Sequence, residues 1–235
     1  MENVRTPLPE SIHPALWRAS QLARGRVSTV DTGYPVLSHE LPGGGWPVGA
    51  LTEVLARTPG SGEIRLLAPA LGSLKAPVAL VEPPCDPCVQ GLAYSGVQAE
   101  QILLVRAKRS NDQLWSAEQI LKASTCGAVL LWQPHVRADS LRRLLLAARS
   151  STSLFFVLRP AHAATDASPA ELRIVVRPAE EGVTVDIVKR KGPKFEGDLT
   201  INVRPEAALL SPRGRSRRAY VPFETDARAP SDALA

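Results

Sequence analysis

Apolar residues in this chain come in short runs, with stretches of helical spacing between them. Residues 51–55, 77–81, 102–105, 128–132 and 154–158 are brief, mostly apolar runs, the pattern of strands covered on both faces. Between them the apolar positions recur every three or four residues. Ile64, Leu67, Leu71 and Leu74 form one such set, and Val89, Leu92, Ala93 and Gly96 a second. Leu114, Ala117 and Leu121 form a third, and Leu141, Leu144, Leu145 and Ala148 a fourth. Each predicts a helix with one buried face. Asp86-Pro87, Asn111 or Asp112, and Asp139 are the expected helix starts. Pro69 is expected to bend or shorten its helix.

Strand–helix alternation of this kind predicts βαβ units. The expected fold is α/β: a mostly parallel twisted sheet with helices on both faces. After residue 159 the helices stop. Residues 172–176, 183–188 and 199–203 read as antiparallel edge strands that continue the sheet. Ahead of the core, Pro14 suits the first position of a helix that carries Ile12, Leu16, Ala19 and Ala23. Residues 31–50 are dense in glycine and proline and read as turns. The expected organisation is an N-terminal helix and linker over 1–30, a core over 31–203, and a basic tail over 204–235. That tail holds Arg213, Arg215, Arg217 and Arg218, then Tyr220, Val221 and Phe223, and is expected to be disordered until a partner orders it.

Composition changes this picture little. The chain of 235 residues is 44% hydrophobic and 22% charged, which excludes wholesale disorder. No run approaches the ~18 apolar residues of a membrane span, and the first ten residues do not resemble a signal peptide. A cytoplasmic location is expected, with no membrane partner. Lys and Arg number 28 against 23 acids, a net charge of +5. This mild excess is compatible with a nucleic-acid partner. Cys85 and Cys88 have C-x-x-C spacing, but no second ligand pair accompanies them, so no metal site is expected. A turn before a helix is the plainer reading, and a redox pair the minor one.

The chemistry is expected at the carboxyl end of the first strand, where a phosphate-binding loop usually sits. A working loop reads G-x-x-x-x-G-K-[ST]. Here Arg57 stands at the first glycine, Glu63 at the lysine and Ile64 at the hydroxyl residue; Gly62 matches and Gly60 lies within the loop. A carboxylate would repel the β- and γ-phosphates, and a hydrocarbon cannot hold Mg²⁺. Residues 128–131 then run into Trp132 and Gln133, where an ATPase of this kind places a Mg²⁺-binding aspartate. The expectation is no catalytic residue, no cofactor and no ATP hydrolysis.

Asp31-Thr32-Gly33, then Leu41-Pro42-Gly43-Gly44-Gly45-Trp46-Pro47-Val48-Gly49, resemble the lead-in to the ATP-binding core of RecA recombinases. Val185-Asp186-Ile187-Val188-Lys189-Arg190-Lys191-Gly192 is similar to a strand and basic turn near the end of that core. A fuller resemblance is to the ImuA family of RecA-like accessory proteins. It is carried by Leu16-Trp17-Arg18, the 41–49 turn, Gly62-Glu63-Ile64-Arg65-Leu66-Leu67, Leu114-Trp115-Ser116-Ala117-Glu118-Gln119, Cys126-Gly127-Ala128-Val129-Leu130, Leu141-Arg142-Arg143-Leu144 and Lys189-Arg190-Lys191-Gly192, in that order.

That resemblance implies a place in damage-induced mutagenesis. The implied partners are ImuB, a polymerase-like protein, and an error-prone DNA polymerase, with RecA a third candidate. The alternative it raises is an SOS inhibitor of cell division of the SulA type. The segment 160–169, in place of the mobile DNA-binding loop of recombinases, has no Lys or Arg, so strand exchange is not expected. Candidate contacts for a partner or for DNA backbone are Lys189, Arg190, Lys191 and Lys194 on a turn, Arg142 and Arg143 with Arg149 on a helix, and the tail arginines. Solvated surface is the competing reading for each. Trp17, Trp46, Trp115 and Trp132 are expected to serve core or interface packing.

Overall fold

The computed structural model describes residues 28–203 apart from Ser95 and Glu181. The helix expected around Pro14 and the arginine-rich tail lie outside the described residues, as does Trp17.

The expected alternation is present. In chain order the core holds β1 (Thr29–Val30), α1 (Pro35–Glu40), β2 (Trp46–Pro47), β3 (Leu51–Ala56), α2 (Glu63–Ser73), β4 (Val78–Val81) and α3 (Val89–Tyr94). Next come β5 (Ile102–Val105), α4 (Ser110–Ala123), β6 (Ala128–Trp132), α5 (Ala138–Arg149) and β7 (Leu154–Pro160). Then follow β8 (Leu172–Ala179), β9 (Gly182–Lys189) and β10 (Asp198–Ile201). The main sheet has eight strands in the order β10-β9-β8-β3-β7-β6-β4-β5. The neighbours from β8 to β5 run parallel, and β9 and β10 are antiparallel. The chain is α/β, with a topology consistent with a RecA-like fold.

Strand alternation divides the core between the two faces of the sheet. On β7, Leu154, Phe156 and Leu158 face the side covered by α2, while Phe155 and Val157 face α4 and α5. Both phenylalanines are 1% exposed. Burial of each such side chain stabilises the fold by about 1.5–3 kcal/mol. Trp46 lies edge-on to Phe156 with ring centroids 5.4 Å apart, which ties the small β1–β2 ribbon to the core.

Several local expectations need correction. The turn-rich stretch 31–50 also contains α1 and β2, one strand of the ribbon. Residue 109 caps α4 and residue 137 caps α5, so Asn111, Asp112 and Asp139 sit inside the first turns. There they still meet the positive end of the helix dipole. The first of the three late strands is not antiparallel to its inner neighbour: β8 pairs in parallel with β3, Thr52 opposite Leu172. A parallel pair needs a crossover. The 3₁₀ turn Ala161–Thr165 and the extended run after it supply one without an α-helix.

Pro69 does not end its helix. A proline at this position takes away the N–H that would bond the carbonyl of residue 65. The Tyr34 hydroxyl donates to that Arg65 carbonyl at 3.1 Å and replaces the lost bond. Gly33, at φ 81°, lies against the proline ring; a Cβ there would fall 2.3 Å from Pro69 Cβ. The Asp31–Tyr34 turn is therefore shaped around Pro69. Within it the Asp31 carboxylate accepts the Gly33 N–H and the Ser38 hydroxyl, which hold its pKa below the usual carboxylate value.

Candidate functional site

The carboxyl ends of the parallel strands open on a cleft of about 440 Å³. The loop after β3 contributes Arg57 and Pro59, the start of α2 contributes Glu63, the loop after β4 contributes Glu82, and Arg159 near the end of β7 lines the same cleft. Trp132 and Gln133 stand at the end of β6. Sequence reasoning placed the chemistry here, and the structure brings the two altered checkpoints, Glu63 and Trp132, to one cleft.

The loop itself is shaped by Gly62. It adopts φ 102° as the N-cap of α2, and a Cβ there would meet Val183 Cγ1 at 2.5 Å. Only glycine suits both the backbone and the space. The Glu63 side chain folds back over the loop, and its Oε1 accepts the Gly60 N–H at 2.7 Å. Ser61 closes the turn by donating to the Thr58 carbonyl at 2.6 Å. Glu63 is 3% exposed. The start of α2 favours a negative charge, and the protein supplies that charge from its own side chain. Ile64 is half-buried against the core. One amide of the loop is thus committed to a carboxylate of the chain itself, and a carboxylate repels a phosphate.

A second buried carboxylate lies in the middle of β3. Glu53 is fully buried between Arg159 of β7 and Arg173 of β8. Arg159 donates to Glu53 Oε1 at 2.9 Å and to Asp166 at 2.9 Å. Arg173 donates to Glu53 Oε2 at 2.5 Å and to the carbonyls of Ala163, Ala164 and Asp166. The alanine-rich segment 160–169 is thus an ordered turn pinned by Arg173, with Ala163 buried. Sequence reading missed this network. Its one signal was a charged residue among mostly apolar neighbours in each of three strands.

The expected basic contacts are mostly engaged within the chain. Arg142 pairs with Asp139 at 2.8 Å. Arg143 and Lys122 both hold the nearly buried Glu118, joining α5 to α4. Arg149 and Lys191 share Glu171, at 3.2 and 2.6 Å. Burial raises the pKa of Glu171, but the two cations outweigh it and leave the carboxyl below its usual value. Lys189 donates to the Ser168 carbonyl. Arg190 pairs with Glu40 and lies 5.5 Å over the Phe195 ring. Lys194 is exposed and forms no ion pair among the described residues. Arg213, Arg215, Arg217 and Arg218 lie outside the described residues.

Cys85 and Cys88 are exposed free thiols, and Cys126 is buried, which pushes its thiol pKa up. Among the described residues no His, Cys, Asp and Glu side chains group as a metal site, and no helix is long and apolar enough to cross a membrane. Trp46 is in the core as expected, Trp132 is half-buried in the cleft wall, and Trp115 is 59% exposed on α4, so it is not a core residue. No family model matches the chain, and no curated protein matches its sequence.

Proposed function

We propose that this chain is a non-catalytic RecA-like adaptor of the ImuA type, acting in the cytoplasm in damage-induced translesion DNA synthesis. It bridges a polymerase-like ImuB partner, an error-prone DNA polymerase and RecA. The ordered motifs from Leu16-Trp17-Arg18 to Lys189-Arg190-Lys191-Gly192 support the family reading, and a fold consistent with RecA agrees with it.

The observation that carries the non-catalytic reading is the Glu63 carboxylate bonded to the Gly60 amide. A loop that supplies its own anion has no use for a phosphate. Trp132, at the end of β6, adds the loss of a Mg²⁺-binding carboxylate. On this reading the cations of α5 and of the turn after β9 are mostly engaged in ion pairs within the chain, and partner contact falls to other surfaces. The tail arginines are the first candidates.

The test is a pull-down of the full-length chain, and of a chain truncated at Arg204, against an ImuB-type partner and against RecA, with and without ATP. Nucleotide-independent capture of either partner is the expected result, and loss on truncation assigns one contact to the tail. Capture of neither, or capture only with ATP, overturns the proposal. Filamentous cells on overexpression would favour the division-inhibitor reading instead.

A further inference from the structure

Two histidines meet at the rim of the carboxyl edge. The strands β6 and β7 are parallel neighbours, with Trp132 opposite Leu158. The chain leaves both strands on the same side. His135 follows three residues after Trp132, and His162 four residues after Leu158. Their ring centroids lie 6.4 Å apart. Both residues are exposed, so a solute reaches the rings directly.

The backbone under each ring is held. The Gln133 N–H donates to the Leu158 carbonyl at 3.1 Å, which ties the start of the loop after β6 to β7. Pro134 and Pro160 fix their own φ angles just ahead of the two histidines. His162 lies in the 3₁₀ turn Ala161–Thr165. Arg173 donates to the Ala163 and Ala164 carbonyls of that turn, and the Thr165 hydroxyl donates to the His162 carbonyl at 3.1 Å. Arg173 is itself bound to the buried Glu53. The two rings are thus carried side by side by parts of the fold that are already fixed, and little order is lost when one ligand takes both.

The spacing suits a shared metal ion. A ring nitrogen bound at about 2.0–2.1 Å puts its ring centroid about 3.2 Å from the ion. Two rings on one ion therefore stand roughly 4.5–6.4 Å apart, the wider value for a straight angle at the metal. A tetrahedral ion brings them to about 5.2 Å, a closure of about 1 Å that rotation of two exposed side chains supplies. Imidazole nitrogen selects late transition metals, whereas Mg²⁺ and Ca²⁺ take oxygen. Three or more His, Cys, Asp and Glu ligands do not group among the described residues. The imidazole pair is the smaller unit, and water completes the coordination.

We propose that His135 and His162 form a two-imidazole site for a divalent late transition metal of the Zn²⁺ or Ni²⁺ type. The ion clamps the loop after β6 to the turn after β7 and keeps open positions toward solvent. This site stands apart from the adaptor reading and does not depend on it.

The experiment is a Zn²⁺ titration of the ¹⁵N-labelled full-length protein, free of any added histidine tag and read at the histidine ring nitrogens. Reading the rings keeps Zn²⁺ on the exposed Cys85 and Cys88 thiols out of the measurement. Mg²⁺ is the control ion, and the exposed His39 ring on α1 is the internal control. The rings of His135 and His162 are expected to shift together, with one midpoint, at lower Zn²⁺ than His39 and not at all with Mg²⁺. His135→Ala is expected to weaken Zn²⁺ binding at the His162 ring about tenfold or more, and His162→Ala to do the same at His135. Both substitutions truncate exposed side chains, so the fold is expected to survive them. The proposal is overturned if neither ring shifts, if the two rings shift with separate midpoints or no earlier than His39, or if each responds unchanged when the other is removed.

Discussion

The centre of the sheet and its carboxyl edge each bury one glutamate, and their surroundings differ. Glu53 lies in mid-strand, with both oxygens held by arginines from the strands on either side. Glu63 lies at the mouth of the cleft, with one oxygen on the Gly60 amide and the other unpartnered. A buried charge is tolerated when it is paired and hydrogen-bonded. Glu53 meets that condition within the chain and fixes β3, β7, β8 and the 3₁₀ turn relative to one another. Glu63 meets half of it. The contrast separates a carboxylate paired at both oxygens from one paired at a single oxygen.

This comparison is broken most directly by removing each carboxylate in turn. Glu53→Ala leaves two arginines buried without their counter-charge. It is expected to destabilise the fold by about 3–5 kcal/mol, read as a lower urea midpoint at unchanged slope. Tyr34→Phe strips the hydroxyl from the Arg65 carbonyl and is expected to cost about 0.5–1.5 kcal/mol by the same measurement. Glu63→Ala removes one hydrogen bond and one unsatisfied oxygen together, and is expected to change stability by less than about 1 kcal/mol. A Glu63→Ala loss as large as that of Glu53→Ala would erase the distinction.

The smallest effect concerns pH. The pKa of Glu171 lies below the usual carboxylate value because Arg149 and Lys191 outweigh its burial. A carboxyl lowered on folding adds stability that is fully present above its unfolded pKa and is lost as pH falls through its folded one. Glu171→Gln is therefore expected to lower the urea midpoint at neutral pH. The two proteins should converge in acid, below the usual carboxylate range.

Much of the architecture was legible along the chain, because apolar runs such as 128–132 and leucine spacings such as Leu141, Leu144 and Leu145 each have one stable use. The direction of β8 was not legible. Parallel and antiparallel strands share one alternation, and the crossover before β8 contains no helical period to announce it. Pro69 misled because the compensating hydroxyl comes from Tyr34, far away in sequence. The cleft was legible in outline through Glu63 and Trp132. Gln133 was named beside Trp132, but Arg159 was not, since a polar residue at a strand end reads as solvent-facing. The basic positions showed a similar limit: charge marks a surface, but the acids that neutralise Arg143, Arg149, Arg190 and Lys191 come from other elements.

The account rests on a loop whose phosphate place is taken by the protein's own carboxylate. The most direct test is equilibrium binding and turnover of MgATP by the full-length chain, beside Glu63→Ala. The account predicts no saturable uptake and no hydrolysis by the unaltered protein. Saturable uptake with turnover that Glu63→Ala abolishes would contradict it.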